Sequence, residues 1–381
     1  MRSLSAPVLL LAAGLVLTGC SSLNPFAAKA PKPADAPAFQ PKAEIRALWQ
    51  ARVGSSDGYV FQPTVVDGSV YAAGAGGTVA RIDQDGRTRW SRDVGARLTA
   101  GVGSDGRTVA VVTARGELIV LDAETGTEKW RKPAGVEVLA PPGVSARTIA
   151  LRASDSRILG FDVASGERRW IYARNVPPLS LRATSGMQIE GNFAVVGFPG
   201  GKLLAINLDS GAPLWELTVA NPRGVTELER VTDIAGTAVL MRSEACAVAF
   251  QGRVSCFDLR TRSAIWTREF SSSAGMDRDG PLVVITSADD SVHGLDARSG
   301  VSQWKQGPMF MRRLSRPLIV GDAVVFGDFE GYVHVLDRNQ GGFIARTRAD
   351  GGAIEAEPRR LGARSFVVQT RGGAVQAFEI R

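Results

Sequence analysis

Arg115 to Trp130 reads RGELIVLDAETGTEKW, and this stretch decides the fold. It opens on a turn, runs through a strand ending at Leu121-Asp122, turns tightly at Gly126 and carries Trp130 on a second strand. The same pattern recurs as GGTVARIDQDGRTRW (Gly76–Trp90), DSRILGFDVASGERRW (Asp155–Trp170), GGKLLAINLDSGAPLW (Gly200–Trp215), QGRVSCFDLRTRSAIW (Gln251–Trp266) and DDSVHGLDARSGVSQW (Asp289–Trp304). A degraded copy, EGYVHVLDRNQGGFIA, ends at Ala345 where tryptophan is expected. Every tryptophan of the chain sits at this one position: Trp49, Trp90, Trp130, Trp170, Trp215, Trp266 and Trp304.

Each unit also has an upstream hairpin. Val65 to Tyr71 places Asp67-Gly68 between two apolar runs, a strong hairpin signal. Val144–Leu151, Ile189–Val196, Ile234–Leu240 and Leu318–Phe326 follow the same pattern. Four strands in about forty residues, repeated, predict an all-β chain folded as a β-propeller of four-stranded antiparallel blades. The short polar side chains of Asp83, Asp122, Asp162, Asn207, Asp258, Asp296 and Asp337 are suited to start each turn. Tryptophan on the outer strand would cover the seam to the next blade, burying on the order of 150–250 Å2. Runs such as Leu118-Ile119-Val120-Leu121 are apolar on successive residues, as sheets covered on both faces require. The final unit, Gly372 to Ile380, stops before its tryptophan strand, and Ile45 to Trp49 is a tryptophan strand with no unit before it. Joined, they make an eighth blade, so the N-terminal strand closes the ring and removes the open edge.

The N-terminus has a different character. Arg2, an apolar run from Pro7 to Leu17 and then Leu17-Thr18-Gly19-Cys20 read as a signal peptide over residues 1–19. The run is too short for a membrane span. The ending resembles a bacterial lipobox, which implies lipid attachment at Cys20. Ser21 follows the cysteine, where an Asp would signal retention at the inner membrane; by resemblance this implies the outer membrane, facing the periplasm. Residues 20–43 are rich in Pro, Ala, Ser and Lys without periodicity, and read as a flexible tether reaching up to roughly 60 Å, with the propeller over 44–381. The formal net charge is +7, and +6 once residues 1–19 are gone. A pI near 9.6 raises nucleic acid as a partner, but export and the scatter of the basic residues over turns and strand ends argue against it.

Cys246 and Cys256 lie symmetrically about Gln251, the tip of a predicted hairpin, and so face each other. An oxidising compartment permits a bridge, while two buried thiols would fit the same placement. There is no set of nearby ligands for a metal.

In a repeat protein, function sits where the pattern breaks. Two tryptophan intervals are long. One insertion includes Asn175 to Arg182, NVPPLSLR, where Leu179, Leu181 and Arg182 form an apolar-plus-arginine anchor or else an ordinary connecting strand. The other includes Gly224 to Asp233, GVTELERVTD. Lipobox, proline-rich tether, eight tryptophan-marked units and these two segments together resemble the BamB-type lipoprotein subunits of the outer-membrane β-barrel assembly machinery. That resemblance spans essentially the whole mature chain. It implies a non-enzymatic scaffold that contacts the POTRA domains of the barrel insertase through Leu179, Leu181, Arg182 and Asp233. Nascent outer-membrane proteins are a second, weaker expectation as partners, held by lending strand edges to extended segments. Ala235 stands where the family has a second acid. The alternative is a pyrroloquinoline-quinone dehydrogenase, whose propeller uses similar repeats. Such an enzyme needs a calcium site and a catalytic aspartate, and carries a vicinal disulfide; this chain has no adjacent cysteine pair, and no cofactor is expected. His293 and His334 share one repeat position and read as packing residues.

Overall fold

The computed structural model describes residues 31–182 and 184–381, and among these it holds strands and turns without an α-helix. Thirty-two strands form eight four-stranded antiparallel sheets. Seven blades are continuous in sequence: Thr64–Asp93, Gly103–Pro133, Gly143–Tyr172, Gln188–Thr218, Val239–Phe270, Gly275–Gln306 and Leu318–Arg348. The eighth joins Arg359–Ile380 to the N-terminal strand Ile45–Arg52, which pairs antiparallel with Ala374–Ile380 from Ile45 opposite Ile380 to Arg52 opposite Ala374. The fold is the eight-bladed β-propeller that the repeats predict, with its ring closed by the N-terminal strand.

The turn chemistry explains the repeat. The Asp122 carboxylate accepts the backbone N–H groups of Glu124 and Thr125, both at 3.0 Å, and Asp162, Asn207, Asp258, Asp296 and Asp337 do the same in their own blades. The chain then leaves the turn through Gly126 at φ 69°, a left-handed position. Absence of a side chain there matters twice, because a Cβ on Gly126 would lie 2.7 Å from the Trp90 ring of the preceding blade. The indoles of Trp49, Trp130, Trp170, Trp266 and Trp304 lie against their neighbours' turn glycines in the same way. The Trp90 Nε1–H also donates to the Ala123 carbonyl at 2.9 Å, and Trp49, Trp130, Trp170, Trp266 and Trp304 bond to their neighbours in the same way. In the fifth blade Arg262 stands where glycine is usual and takes the left-handed conformation itself, at φ 58°. A bulge opposite the tryptophan position, as at Val120/Leu121, recurs in the outer pairs of the first seven blades. It bends and twists strands that would otherwise offer flat, pairing-competent edges.

Ala345 has a structural cause. Its blade faces the composite blade, which has no hairpin turn to receive an indole. There the chain ends meet instead: Glu44 N–H bonds to the Arg381 carbonyl at 3.1 Å and Arg381 N–H to the Glu44 carbonyl at 3.0 Å. The space is filled by Ala43 and Ile45, packed on the cluster that contains Ala345, Ala349 and Phe378.

One predicted hairpin is displaced. Ile234–Leu240 does not fold on itself; the first pair of the fifth blade is Val239–Met241 with Glu244–Val248, turning at Arg242, whose φ is 51°. The inserted segment ahead of it carries Ile234 into a bond with the Phe198 carbonyl of the fourth blade, and so shifts the turn. Cys246 and Cys256 are direct partners across the hairpin and form a disulfide, both fully buried.

Two stability predictions follow from this architecture. Deleting Ile45–Arg52 removes the outer strand of the eighth blade; the variant should lose its cooperative melt by circular dichroism and elute as aggregate. Replacing Cys246 and Cys256 together by alanine reopens a loop of about ten residues, which should lower the unfolding free energy by about 2–3 kcal/mol in denaturant titration.

Candidate functional site

Two irregular connections leave the repeat and meet at one rim. The first runs from 173 to 187, between the third and fourth blades; the second runs from 219 to 238, between the fourth and fifth. Both are longer than a blade-to-blade link needs, so their backbone polar groups must find partners off the repeat.

Asp233 supplies them for the first connection. Its carboxylate accepts the Leu181 N–H with one oxygen and the Gly200 N–H with the other, at 3.2 Å. The side chain is 3% exposed. Burial pushes its carboxyl above the usual carboxylate range, opposed by those two amide bonds and by the nearby Arg152 charge. Arg152 is buried as well, donating to the carbonyls of Ser185 and Gly197. Burial lowers it to about 10, with the Asp233 charge acting the other way. An aspartate expected to face a partner is thus an internal brace. Ala235, two residues on, takes a bond from the Ser185 hydroxyl through its carbonyl, so the position of the missing acid serves the same brace.

The braced segment projects different side chains. Leu179 is exposed, Leu181 half-buried and Arg182 exposed. Arg182 Nη2 donates to both oxygens of Glu137, at 3.0 and 2.9 Å. Bonding to Ser154 and the Arg182 charge hold Glu137 below its ordinary range, against burial. The guanidinium is therefore oriented before any partner arrives.

The second connection is shaped by Thr226 and Glu229. Glu229 accepts the N–H groups of Val225 and Thr226 at 2.8 and 3.0 Å, while the Thr226 hydroxyl accepts the Glu229 N–H at 3.3 Å. This reciprocal pair is a capping box, and it folds one tight turn. The turn lifts Val225, 96% exposed, and Leu228, 71% exposed, into solvent. Between the two connections lies a cleft of about 230 Å3 walled by Pro177, Pro178, Leu179, Pro222, Glu227 and Arg230. Val225 and Leu228 were not singled out by the sequence reading; the Thr-x-x-Glu spacing was the available signal.

The other candidates lie elsewhere. His334 is buried, bonded to Asp328 at 2.8 Å, and His293 packs edge-on to Phe270 at 4.9 Å. Cys20 and the 1–19 segment fall outside the described residues. Among the described residues no three His, Cys, Asp or Glu side chains are grouped to hold a metal. The central channel has cavities of about 330 and 310 Å3. Both border a buried ion network, in which Glu357 contacts Arg316 at 2.8 Å and Arg359 at 3.4 Å and accepts the Thr237 hydroxyl at 3.2 Å.

If Asp233 is a brace, Asp233→Ala should free the Leu181 amide. Its hydrogen exchange should quicken by about ten-fold or more, with blade-core amides unchanged. Equal Leu181 exchange in both proteins would show that the segment is held by other contacts.

Comparison with known proteins agrees with this geometry. A family profile described as "Outer membrane protein assembly factor BamB" matches residues 75–306. The chain is 42% identical to a protein of that name from Pseudomonas aeruginosa, across 98% of each chain. It is 38% identical to another from Burkholderia pseudomallei, across 100% of this chain and 99% of the relative. Among solved structures, BamB from Moraxella catarrhalis superimposes with a TM-score of 0.81 at 25% identity, covering 88% of this chain and 100% of that one. A quinohemoprotein alcohol dehydrogenase from Comamonas testosteroni reaches 0.70 at 15% identity, covering 88% of this chain and 76% of its own, a likeness of fold alone. Built from the same blades and similar to these relatives over its whole length, this chain belongs to the BamB family of outer membrane protein assembly factors.

Proposed function

We propose that this protein is a non-enzymatic scaffold of the outer-membrane protein assembly complex, and that it docks on the POTRA domains of the barrel insertase through the rim between its third and fifth blades. The observation that carries this is the preorganised apolar surface: Leu179, Val225 and Leu228 stand exposed around a cleft, on backbone fixed by buried Asp233 and by a capping box. Exposed apolar side chains on a rigid frame lose little entropy on binding, and an oriented arginine adds charge and register. In this reading Leu179 and Arg182 touch the partner, Leu181 shapes the segment between them, and Asp233 positions all three. Cys20 carries the lipid after removal of residues 1–19. That places the protein at the periplasmic face of the outer membrane.

The choice against a quinone-dependent dehydrogenase rests on likeness. The Burkholderia pseudomallei and Pseudomonas aeruginosa assembly factors match at 38% and 42% identity over nearly full length, and the quinohemoprotein dehydrogenases at 13–15%.

A pull-down with the soluble POTRA region tests the proposal. Leu179→Ala and Arg182→Ala should each weaken retention, by about five- to thirty-fold in Kd if each loses about 1–2 kcal/mol. Unchanged retention in both variants would remove this rim from the interface.

A further inference from the structure

The stretch read as tether does not all behave as one. From Ala34 the chain lies against the seventh blade. Ala34 N–H donates to the Phe310 carbonyl at 2.9 Å, and Arg312 Nη1 donates to the Ala34 carbonyl at 2.8 Å. Arg346 Nη1 donates to the Pro37 carbonyl at 2.9 Å. The Phe39 ring stacks on Phe343 at 5.6 Å, with the Arg346 guanidinium 5.4 Å from its centre. Lys42 and Ala43 both donate to the Ile344 carbonyl, at 2.8 and 3.2 Å. Ala34, Ala36, Pro37 and Phe39 are half-buried, whereas Asp35, Ala38 and Gln40 face out.

The receiving surface is built for a chain of this kind. Arg312 is 1% exposed. A buried guanidinium is tolerated only when paired, and Arg312 is held by Asp328 at 2.9 and 2.6 Å and by Glu330. His334 Nε2 bonds the same Asp328 oxygen at 2.8 Å, and the other oxygen accepts the Glu330 and Tyr332 N–H groups, both at 3.0 Å. With those partners fixed, Nη1 is aimed at one backbone carbonyl. Tyr332 and Phe343 supply aromatic walls, and Arg346 spans Tyr332 and Phe39. Extended proline-containing segments lack internal hydrogen bonds and offer free carbonyls, which aromatic grooves with fixed donors recognise. Residues 33–41 read PADAPAFQP, with prolines at Pro33, Pro37 and Pro41.

We infer that residues Ala34–Ala43 are a docked strap, held in a groove on the seventh blade that is specific for an extended proline-containing chain, and that this strap fixes where the membrane-attached end leaves the body. The consequence for anchoring rests on lipid attachment at Cys20; the docking does not. At most thirteen residues, 21–33, then separate Cys20 from the strap, a maximum span of roughly 40–45 Å in place of roughly 60 Å. The exit lies at the loop between the sixth and seventh blades, three blades round from the Leu179 segment.

Hydrogen exchange resolved to single residues tests this, on the mature chain with and without Cys20→Ser. The amides of Ala34, Lys42 and Ala43 should exchange about ten-fold or more slower than in a free peptide of the same sequence. Phe39→Ala with Arg346→Ala, both at the surface of the groove, should abolish that protection while Val333–Val335 stay protected. Free-peptide rates in the unsubstituted chain, or full protection in the double variant, would overturn the strap. Protection that persists in a protein failing to fractionate with membranes would remove the lipid reading and leave the strap intact.

Discussion

Everything in this molecule depends on an indole lying on a turn that has no side chain. The tryptophan ring of one blade fills the space above the next blade's turn, and its N–H takes a carbonyl that the turn leaves free. A Cβ at that spot would collide with the ring, and an aliphatic side chain would leave the carbonyl unpaired. The requirement recurs at most seams, so the same residues recur at the same spacing. It is relaxed in the fifth blade, where Arg262 takes the glycine position, and it fails where the chain ends meet and no turn exists. At that seam alanine replaces tryptophan, and the N-terminal segment fills the gap.

Because the seams hold the ring, the connections between blades are free to vary, and two of them have grown. Growth exposes backbone that must be satisfied. The buried carboxylate of Asp233 does this for one connection, and the Thr226–Glu229 pair does it for the other. The cost of burying Asp233 shows in its raised carboxyl, and the return is a rim that holds Leu179, Leu228 and Arg182 in fixed positions. Stability and recognition are thus divided. Repeated residues build the frame, and the unrepeated ones form the exposed rim proposed to meet the partner.

The frame was legible in the sequence because its chemistry is local and repeated. Asp122, Gly126 and Trp130 lie within nine residues, the first two building one turn and the third covering the turn of the next blade. The eighth blade was legible for the same reason, from two incomplete units at the chain ends. The rim was only partly legible. Leu179 and Arg182 stood out as breaks in the pattern, but the role of Asp233 depends on Leu181, 52 residues away. Nothing between them shows the bond. The strap was hidden by composition: proline and alanine suggest a tether, and the groove that holds it comes from Arg312, Phe343 and Arg346, some 300 residues further on. The Ile234–Leu240 hairpin was misread because an insertion moved its partner strand.

The central claim is that the enlarged rim, and not the repeated blade surface, meets the insertase. Site-specific photo-crosslinking in the assembled complex tests it most directly. A photoreactive residue at Leu179 or Leu228 should join to a POTRA domain, whereas one at Ile265, exposed on the outer strand of the fifth blade, or at Val301, exposed in the turn before the outer strand of the sixth, should not. Crosslinks from Ile265 or Val301 with none from Leu179 and Leu228 would contradict the account.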